Sequence, residues 1–373
     1  MKFSCLQENL KKALITVTPV AGKNTTLPIL NNVLIKAKEG GVVLTTTNLE
    51  IAVEYNLRGK VEKEGEITTQ AKLLLDYIQL LPKEMVNLIL NDQVVDIKCQ
   101  NWQTKIKGIT HEDFPLIPAV AVTDAVQLAV GDFREALNQV LFAAATDELR
   151  PEISGVYCQF KKAQLVMAAT DSYRLAEKTV DYKKGPVSDR GVIIPGKTLT
   201  EVARMLTDAQ ANNIITMELA ENQILFSFDE TRVTSRLIEG QYPDYQQIIP
   251  QTFITQIKLP AEELKKAVKS ASLFSKTGIN DTHWHFSPTD NQTIISAANS
   301  LVGEQRAVVK SEIAGEESDI ALNYRYVLDG LNAIKTPELE LKVSGSNSPA
   351  VFRPVGAKDK SETLVYLVMP IRQ

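Results

Sequence analysis

The side chains in this sequence that could perform chemistry are scattered carboxylates and one pair of histidines. His283 and His285 alternate along a predicted strand, so they share one face and could hold a metal ion. No third ligand accompanies them, and we interpret them as surface or interface histidines and predict no metal site. Carboxylates occur in the pair at 147–148, in DFP at 113 and in PDY at 243, but no nucleophile and base stand beside them.

Cofactor chemistry is not indicated by the remaining motifs. The dinucleotide pattern GxGxxG is absent, and we expect no nucleotide hydrolysis. Cys5, Cys99 and Cys158 lie far apart and form no CxxC pair, which argues against a disulfide framework and a zinc site. We therefore predict a protein that is not an enzyme, carries no cofactor and works in a reducing cytoplasm.

Length and composition predict a multidomain globular protein. At about 150 residues per domain, 373 residues correspond to two or three domains. An apolar content of 44% and a charged content of 23% are ordinary for globular proteins. No apolar run approaches the roughly 18 residues that a membrane span requires. The formal charge of -4 does not favour a nucleic-acid partner, although a local basic surface is compatible with it.

The chain contains three copies of one sequence pattern, and this repeat determines the rest of the interpretation. The first block combines alternating apolar positions, an acidic turn and a helix start, at 3–14, 126–137 and 257–268. A second block predicts a turn between two strands and aligns Asn48, Asp171 and Asn299. A third block opens a helix and aligns Lys72, Lys197 and Arg325.

Each copy therefore predicts a strand, a helix, several short strands, a second helix and further strands, which together make an α+β fold. We place the three domains at 1–122, 123–253 and 254–373. Phe114-Pro115 and Tyr242-Pro243 mark the two joints, where proline favours extended connectors.

Three equivalent domains in an arc with complementary ends would close by head-to-tail dimerisation. The six domains would contribute twelve helices. At about 10 Å spacing these helices form a circle about 120 Å round, which leaves a hole roughly 28 Å wide. Such a hole admits a DNA duplex, and the mildly basic balance of the predicted inner helices would let the ring slide.

Four segments resemble the bacterial DNA polymerase III beta subunit family, the beta sliding clamps: TLPIL at 26–30, ATDSYRLA at 169–176, LIEGQYPDYQQIIP at 237–250 and YLVMPIRQ at 366–373. The resemblance implies the DNA-clamp fold, in which each domain packs two helices on antiparallel sheets. It also implies a homodimeric ring around double-stranded DNA. The implied partners are the replicative polymerase, the clamp loader and repair proteins, which dock through short apolar peptides.

The resemblance also implies particular site residues. The partner-peptide pocket would contain Ile153, Thr170, Ser172, Tyr173, Arg174, Leu175, Pro243, Gln247, Ile248, Leu367, Met369, Pro370, Ile371 and Arg372. Tyr173 stands where the family often has histidine and Gln247 where it often has arginine, so the resemblance does not define which peptides bind. DNA contacts are expected at Lys12, Lys23, Arg150, Lys197 and Arg204, and the dimer joint at Ile106, Leu273 and Phe274.

Two other classes of protein remain compatible with the sequence. A repeat-built scaffold that binds only proteins would form an open arc without encircling DNA. An enzyme would need titratable groups that converge in a cleft between repeats. Oligomeric state separates the scaffold from the clamp.

Overall fold

The computed structural model describes residues 1–22, 27–117, 124–147, 149–355 and 363–372, and the chain divides into two compact units. The first unit comprises Met1–Gly131 and Arg204–Leu237, and the second comprises Asp132–Ala203 and Ile238–Gln373. Among the described helices, none has both the length and the apolar character needed to cross a membrane.

The fold is rich in short strands. The first ten strands are β1 (Lys2–Leu6), β2 (Asn32–Lys38), β3 (Gly41–Thr47), β4 (Ile51–Leu57), β5 (Lys60–Lys63), β6 (Gly65–Gln70), β7 (Met85–Asn91), β8 (Val94–Cys99), β9 (Trp102–Lys107) and β10 (Asp124–Ala129). They are followed by β11 (Gly155–Phe160), β12 (Gln164–Thr170), β13 (Arg174–Asp181), β14 (Arg190–Pro195), β15 (Ile214–Leu219), β16 (Gln223–Phe228), β17 (Thr231–Arg236) and β18 (Thr255–Pro260). The last strands are β19 (Asp281–Ser287), β20 (Gln292–Asn299), β21 (Gly303–Lys310), β22 (Glu312–Gly315), β23 (Ser318–Asn323), β24 (Glu338–Val343), β25 (Ala350–Val355) and β26 (Leu364–Val368).

These strands form antiparallel sheets within each unit. The first unit contains a sheet in the order β5-β1-β7-β8-β9 and another in the order β10-β15-β16-β17-β4-β3-β2-β6. The second unit contains a sheet in the order β14-β11-β12-β13-β26-β25-β24-β18-β22 and another in the order β21-β20-β19-β23.

Helices follow the strands at the predicted places. They are α1 (Gln7–Val17), α2 (Ala71–Leu80), α3 (Val130–Val140), α4 (Pro151–Ser154), α5 (Gly196–Met205), α6 (Ala261–Ser272) and α7 (Tyr324–Ala333). Helix α1 buries Leu10, Ala13, Leu14 and Val17, the three- and four-residue spacing of an amphipathic helix. In the first unit α1 packs on α2, and in the second α6 packs on α7. The predicted α+β repeat of helices on antiparallel sheets is confirmed.

The joint that contains Tyr242 differs in part from the predicted extended connector. Residues Tyr245–Ile248 form a short 3-10 helix, and the Gln247 side chain donates a 2.7 Å hydrogen bond to Asp244. This local bond favours a turn over a straight path. Residues 118–123 of the other joint lie outside the described part of the chain.

Gly330 in helix α7 provides a test of the packing in the second unit. A Cβ atom at this position would overlap ring atoms of Tyr366, which is 1% exposed and donates a 2.7 Å hydrogen bond to the Tyr326 carbonyl. We expect Gly330→Ala to lower the free energy of unfolding by about 1–3 kcal/mol, although alanine is the better helix former. Urea denaturation with Asn332→Ala, an exposed change in the same helix, as the control measures this effect. An unchanged midpoint would mean that α7 and Tyr366 are not tightly packed.

Candidate functional site

A buried apolar floor in the second unit unites residues that are distant in the sequence. Ile153, Leu175 and Leu367 are each at most 3% exposed and belong to one cluster with Ala168, Ile193, Tyr242, Tyr245 and Val351. The half-buried side chain of Met369 packs against this cluster. The floor therefore combines rigid aliphatic groups with an adaptable thioether.

Tyr242 and Tyr245 of this cluster form one wall of the site together with Tyr157. The rings of Tyr157 and Tyr242 stack with centroids 5.2 Å apart, and Tyr245 meets Tyr242 edge-on at 6.3 Å. The Tyr245 hydroxyl donates a 2.6 Å hydrogen bond to Glu177. Burial, followed by the neighbouring Glu177 carboxylate, raises the pKa of Tyr245, so this hydroxyl stays protonated. The wall is fixed by packing and is not poised for acid–base chemistry.

The turn between β12 and β13 borders the floor. Thr170 donates from its hydroxyl to the Arg174 carbonyl at 2.6 Å, and Asp171 accepts the backbone N–H groups of Tyr173 and Arg174 at 3.0 Å each. These bonds hold Ser172 in the left-handed region at φ 78°. The predicted turn at Asp171 is confirmed, and its side chains are positioned by local hydrogen bonds.

Arg174, the first residue of β13, is held in place by two carboxylates and an aromatic ring. Its guanidinium donates to Asp171 at 2.9 Å and to Asp329 at 2.5 Å, and it lies 4.8 Å from the ring centre of Tyr326. Burial opposes its charge, but Tyr366, Asp329 and Asp171 together leave the pKa of Arg174 raised. Sequence reasoning missed Asp329 and Tyr326 at this site, because only the fold brings helix α7 beside the turn.

The C-terminal segment is pinned along the same edge. The Met369 N–H donates to the Tyr173 carbonyl and the Ile371 N–H donates to the Ala321 carbonyl, each at 2.8 Å. Pro370 forms an isolated bridge with Leu322. A terminal segment with these contacts does not fray, so Met369 keeps a fixed place at the apolar floor.

The rim of the site is open and partly polar. Pro243 is half-buried and Ile248 is 42% exposed, while Tyr173 is 62% exposed. The remaining exposed positions of the predicted set are Ser172, Gln247 and Arg372. An apolar floor with a polar rim suits a short apolar peptide whose ends stay in water.

The predicted DNA-contacting residues have different environments. Lys12 and Lys197 are exposed, and Lys23 lies outside the described residues. Arg204 donates to the carbonyls of Ile15 and Thr16 at the end of α1, at 3.3 and 2.9 Å. Arg204 therefore also stabilises the C-terminus of that helix. A DNA role stays a prediction for all five residues.

Arg150 lies beside the apolar site. It donates a 2.9 Å hydrogen bond to the Ser172 hydroxyl, and its Nε lies 3.6 Å from a carboxylate oxygen of Glu152. Arg150 therefore lies at the rim of the apolar site, a position that the sequence interpretation did not assign to it.

The predicted dimer-joint residues are not equally available. Leu273 is 74% exposed and Phe274 is half-buried, whereas Ile106 on β9 is only 5% exposed. Leu273 thus leaves a large apolar surface uncovered in the single chain. The assignment of all three residues to a joint stays a prediction.

His283 and His285 have carboxylate neighbours, but the described residues include no cluster that could hold a metal ion. His283 Nε2 lies 3.2 Å from Asp281, and His285 contacts Asp319 at 2.9 Å and Glu317 at 3.5 Å.

Residues 191–198, GVIIPGKT, match the GxxxxGK[ST] spacing of a phosphate-binding loop, a match that sequence reasoning missed. A phosphate loop needs an open turn whose N–H groups surround the anion. Here strand β14 runs to Pro195 and helix α5 begins at Gly196, so no such turn separates them. Val192, Ile193 and Ile194 are buried in the sheet. The segment therefore does not have the conformation of a phosphate loop.

Comparison with known proteins agrees with this geometry. Residues 1–118, 127–244 and 246–372 match the N-terminal, central and C-terminal domains of the DNA polymerase III beta subunit. The beta sliding clamp of Synechococcus elongatus is 31% identical over 376 residues, covering 100% of this chain and 99% of the relative.

Solved structures of similar fold are also sliding clamps. The DNA polymerase sliding clamp from Bacillus subtilis has a TM-score of 0.94 at 27% identity, covering 100% of this chain and 99% of the other. The DNA polymerase III subunit beta from Pseudomonas aeruginosa has a TM-score of 0.94 at 26% identity, covering 100% of both chains. The fold is thus that of the DNA polymerase sliding clamps. The chain belongs to the DNA polymerase III beta subunit family.

Proposed function

We propose that this chain is a processivity factor. Two copies close head to tail into a six-domain ring that encircles duplex DNA and tethers the replicative polymerase. Family membership supports this function, and one observation carries the ring: the way in which strands join successive copies of the repeat.

Both joints within the chain use the same pair of repeat elements. Strand β17, the last of the central copy, pairs antiparallel with β4, which follows the turn at Asn48 in the first copy. Strand β26, the last of the third copy, pairs antiparallel with β13, which follows the turn at Asp171. In the first copy the equivalent of β17 and β26 is β9, and in the third copy the equivalent of β4 and β13 is β21. Each of these two strands is an edge strand of its described sheet. An unpaired edge strand is a template for another chain.

Pairing of β9 with β21 of a second copy would repeat the same joint and generate a closed dimer. Its register follows from the joints within the chain, where Ser235 faces Ile51 and Val368 faces Arg174. In the first copy Ile106 corresponds to Ser235 and Val368, and in the third copy Val302 corresponds to Ile51 and Arg174. We therefore expect Ile106 to lie opposite Val302 of the partner subunit.

The apolar site of the second unit completes the proposed function. It would bind short apolar peptides of the polymerase, the clamp loader and repair proteins. Lys12 and Lys197 would contact the DNA backbone without reading its sequence. The clamp itself would perform no catalysis and would work in the cytoplasm, where its three free cysteines stay reduced. The division at 122 and 253 into three domains belongs to this proposal.

The joint is tested by placing a charge on its most exposed apolar residue. We expect Leu273→Asp to yield a folded monomer, because the carboxylate would lose its hydration when the joint closes. Light scattering measures the mass. Val187→Asp is the matched control, since Val187 is 84% exposed and is not part of the proposed joint. A Leu273→Asp protein that stays dimeric at full strength would remove Leu273 from the joint.

A further inference from the structure

The first unit contains a groove that the proposed function does not use. Its volume is about 280 Å³. Its lining includes Thr47, Leu49, Ala52, Pro115, Leu116 and Arg236. Leu49 is 47% exposed and Leu116 is 95% exposed, so aliphatic side chains stand in solvent at its edge.

The turn that borders this groove reproduces the turn at the apolar site of the second unit. Thr47 donates from its hydroxyl to the Ile51 carbonyl at 2.9 Å. Asn48 accepts the N–H groups of Glu50 and Ile51 at 3.0 and 2.8 Å, as Asp171 does in the second copy. Leu49 has φ 79°, against 78° for Ser172. The left-handed region is costly for leucine, and such strain is concentrated at ligand-binding sites.

The residues around the two turns correspond, but their side chains differ. The strand registers align Ala52 with Leu175, Thr234 with Leu367, and Arg236 with Met369. Smaller side chains thus replace two leucines of the apolar floor, and a cation replaces the thioether. The first unit therefore keeps the backbone frame of the site, while the three compared positions change from wholly apolar to a set with one hydroxyl and one positive charge.

The charge at the groove identifies the complementary ligand group. The Arg236 backbone N–H, at the end of β17, donates to the carbonyl of Glu50, in the turn before β4, at 3.2 Å, so the two residues are neighbours. Within the described residues neither side chain forms an ion pair. The guanidinium of Arg236 can donate two N–H groups to one carboxylate, so the groove favours a ligand with a carboxylate. The neighbouring negative charge of Glu50 disfavours a ligand with several negative charges.

We propose that this groove is a second docking site, which takes a short aliphatic peptide segment with one carboxylate beside Arg236. Leu49, Leu116 and Pro115 contact the aliphatic side chains, and Arg236 pairs with the carboxylate. The proposal goes beyond the clamp function, which requires only the apolar site of the second unit. The clamp would then hold partners of two chemical types at once.

The probe for this site is acetyl-Leu-Leu with a free carboxylate, compared with the same dipeptide as its amide. Methyl resonances of the full dimeric protein report both sites: Leu49 and Ala52 for the groove, Leu175 and Leu367 for the apolar site. We expect saturable shifts at Leu49 and Ala52 with the acid, and binding of the amide about two- to fivefold weaker. Arg236→Met should abolish this difference between acid and amide.

Two further variants separate the groove from the apolar site. Ala52→Phe places a ring in the groove and should remove the shifts at Leu49, while Met369→Asp should leave them unchanged. The proposal is overturned if the acid produces no saturable shift at Leu49 or Ala52, or if Arg236→Met still prefers the acid. Neither result would contradict the proposed function, because the methyl shifts of Leu175 and Leu367 report peptide binding at the apolar site independently.

Discussion

Once loaded onto nicked circular DNA, this protein should stay bound at a salt concentration where its direct equilibrium binding is negligible. A basic surface holds DNA by releasing counterions, so six to ten phosphate contacts lose about 10³- to 10⁵-fold in affinity between 50 and 200 mM salt. A closed ring holds DNA by topology, which salt does not screen. Gel filtration of labelled protein with the circle, after loading by a clamp loader, measures the retained fraction.

Cutting the circle provides the control. Linearisation should release the protein because the ring slides off the ends, and bulky proteins bound at both ends should restore retention. Lys12→Glu with Lys197→Glu should impair loading or sliding more than the lifetime of closed complexes, because closure depends on the joints. Equal retention on open linear and circular DNA at high salt would exclude the ring and favour an electrostatic binder or a scaffold.

The repeat explains why much of this fold could be predicted from the sequence. Turn-forming residues at Asn48, Asp171 and Asn299 punctuate alternating apolar runs, and the structure has a strand ending and another beginning at each. Helix starts were predictable as well, because the spacing of apolar residues changes there from every second residue to every third or fourth residue. Local signals of this kind recur in three copies and reinforce one another.

Contacts between distant segments could not be predicted in the same way. Nothing in the sequence around Arg174 indicates that Asp329 and Tyr326 will hold it, because that contact depends on how α7 packs in the second unit. Arg204 looked like an exposed cation, yet it also bonds the carbonyls at the end of α1. The GVIIPGKT segment shows the converse: a motif spacing carries chemistry only with the backbone conformation that the motif requires.

The two turn-bordered sites show how a repeated domain can diversify. Their backbone hydrogen bonds are nearly the same, because the turn needs only a hydroxyl and an Asn or Asp side chain at fixed spacing. The side chains on the neighbouring strands do not form the turn. They are therefore free to change from Leu367 and Met369 in one unit to Thr234 and Arg236 in the other without loss of the frame.

Met369→Asp should weaken binding of a fluorescent hexapeptide containing Leu-Leu-Phe by about 5- to 150-fold, or about 1–3 kcal/mol. The new carboxylate would face the apolar floor formed by Leu175 and Leu367, and a bound peptide would exclude the water that hydrates it. Backbone bonds at Met369 and Ile371 do not involve the changed side chain, so the tail should stay docked. Calorimetry gives the affinity, and Met85→Asp, which alters another half-exposed methionine, is the matched control. Unchanged affinity in a folded Met369→Asp protein would place the peptide site elsewhere on the clamp.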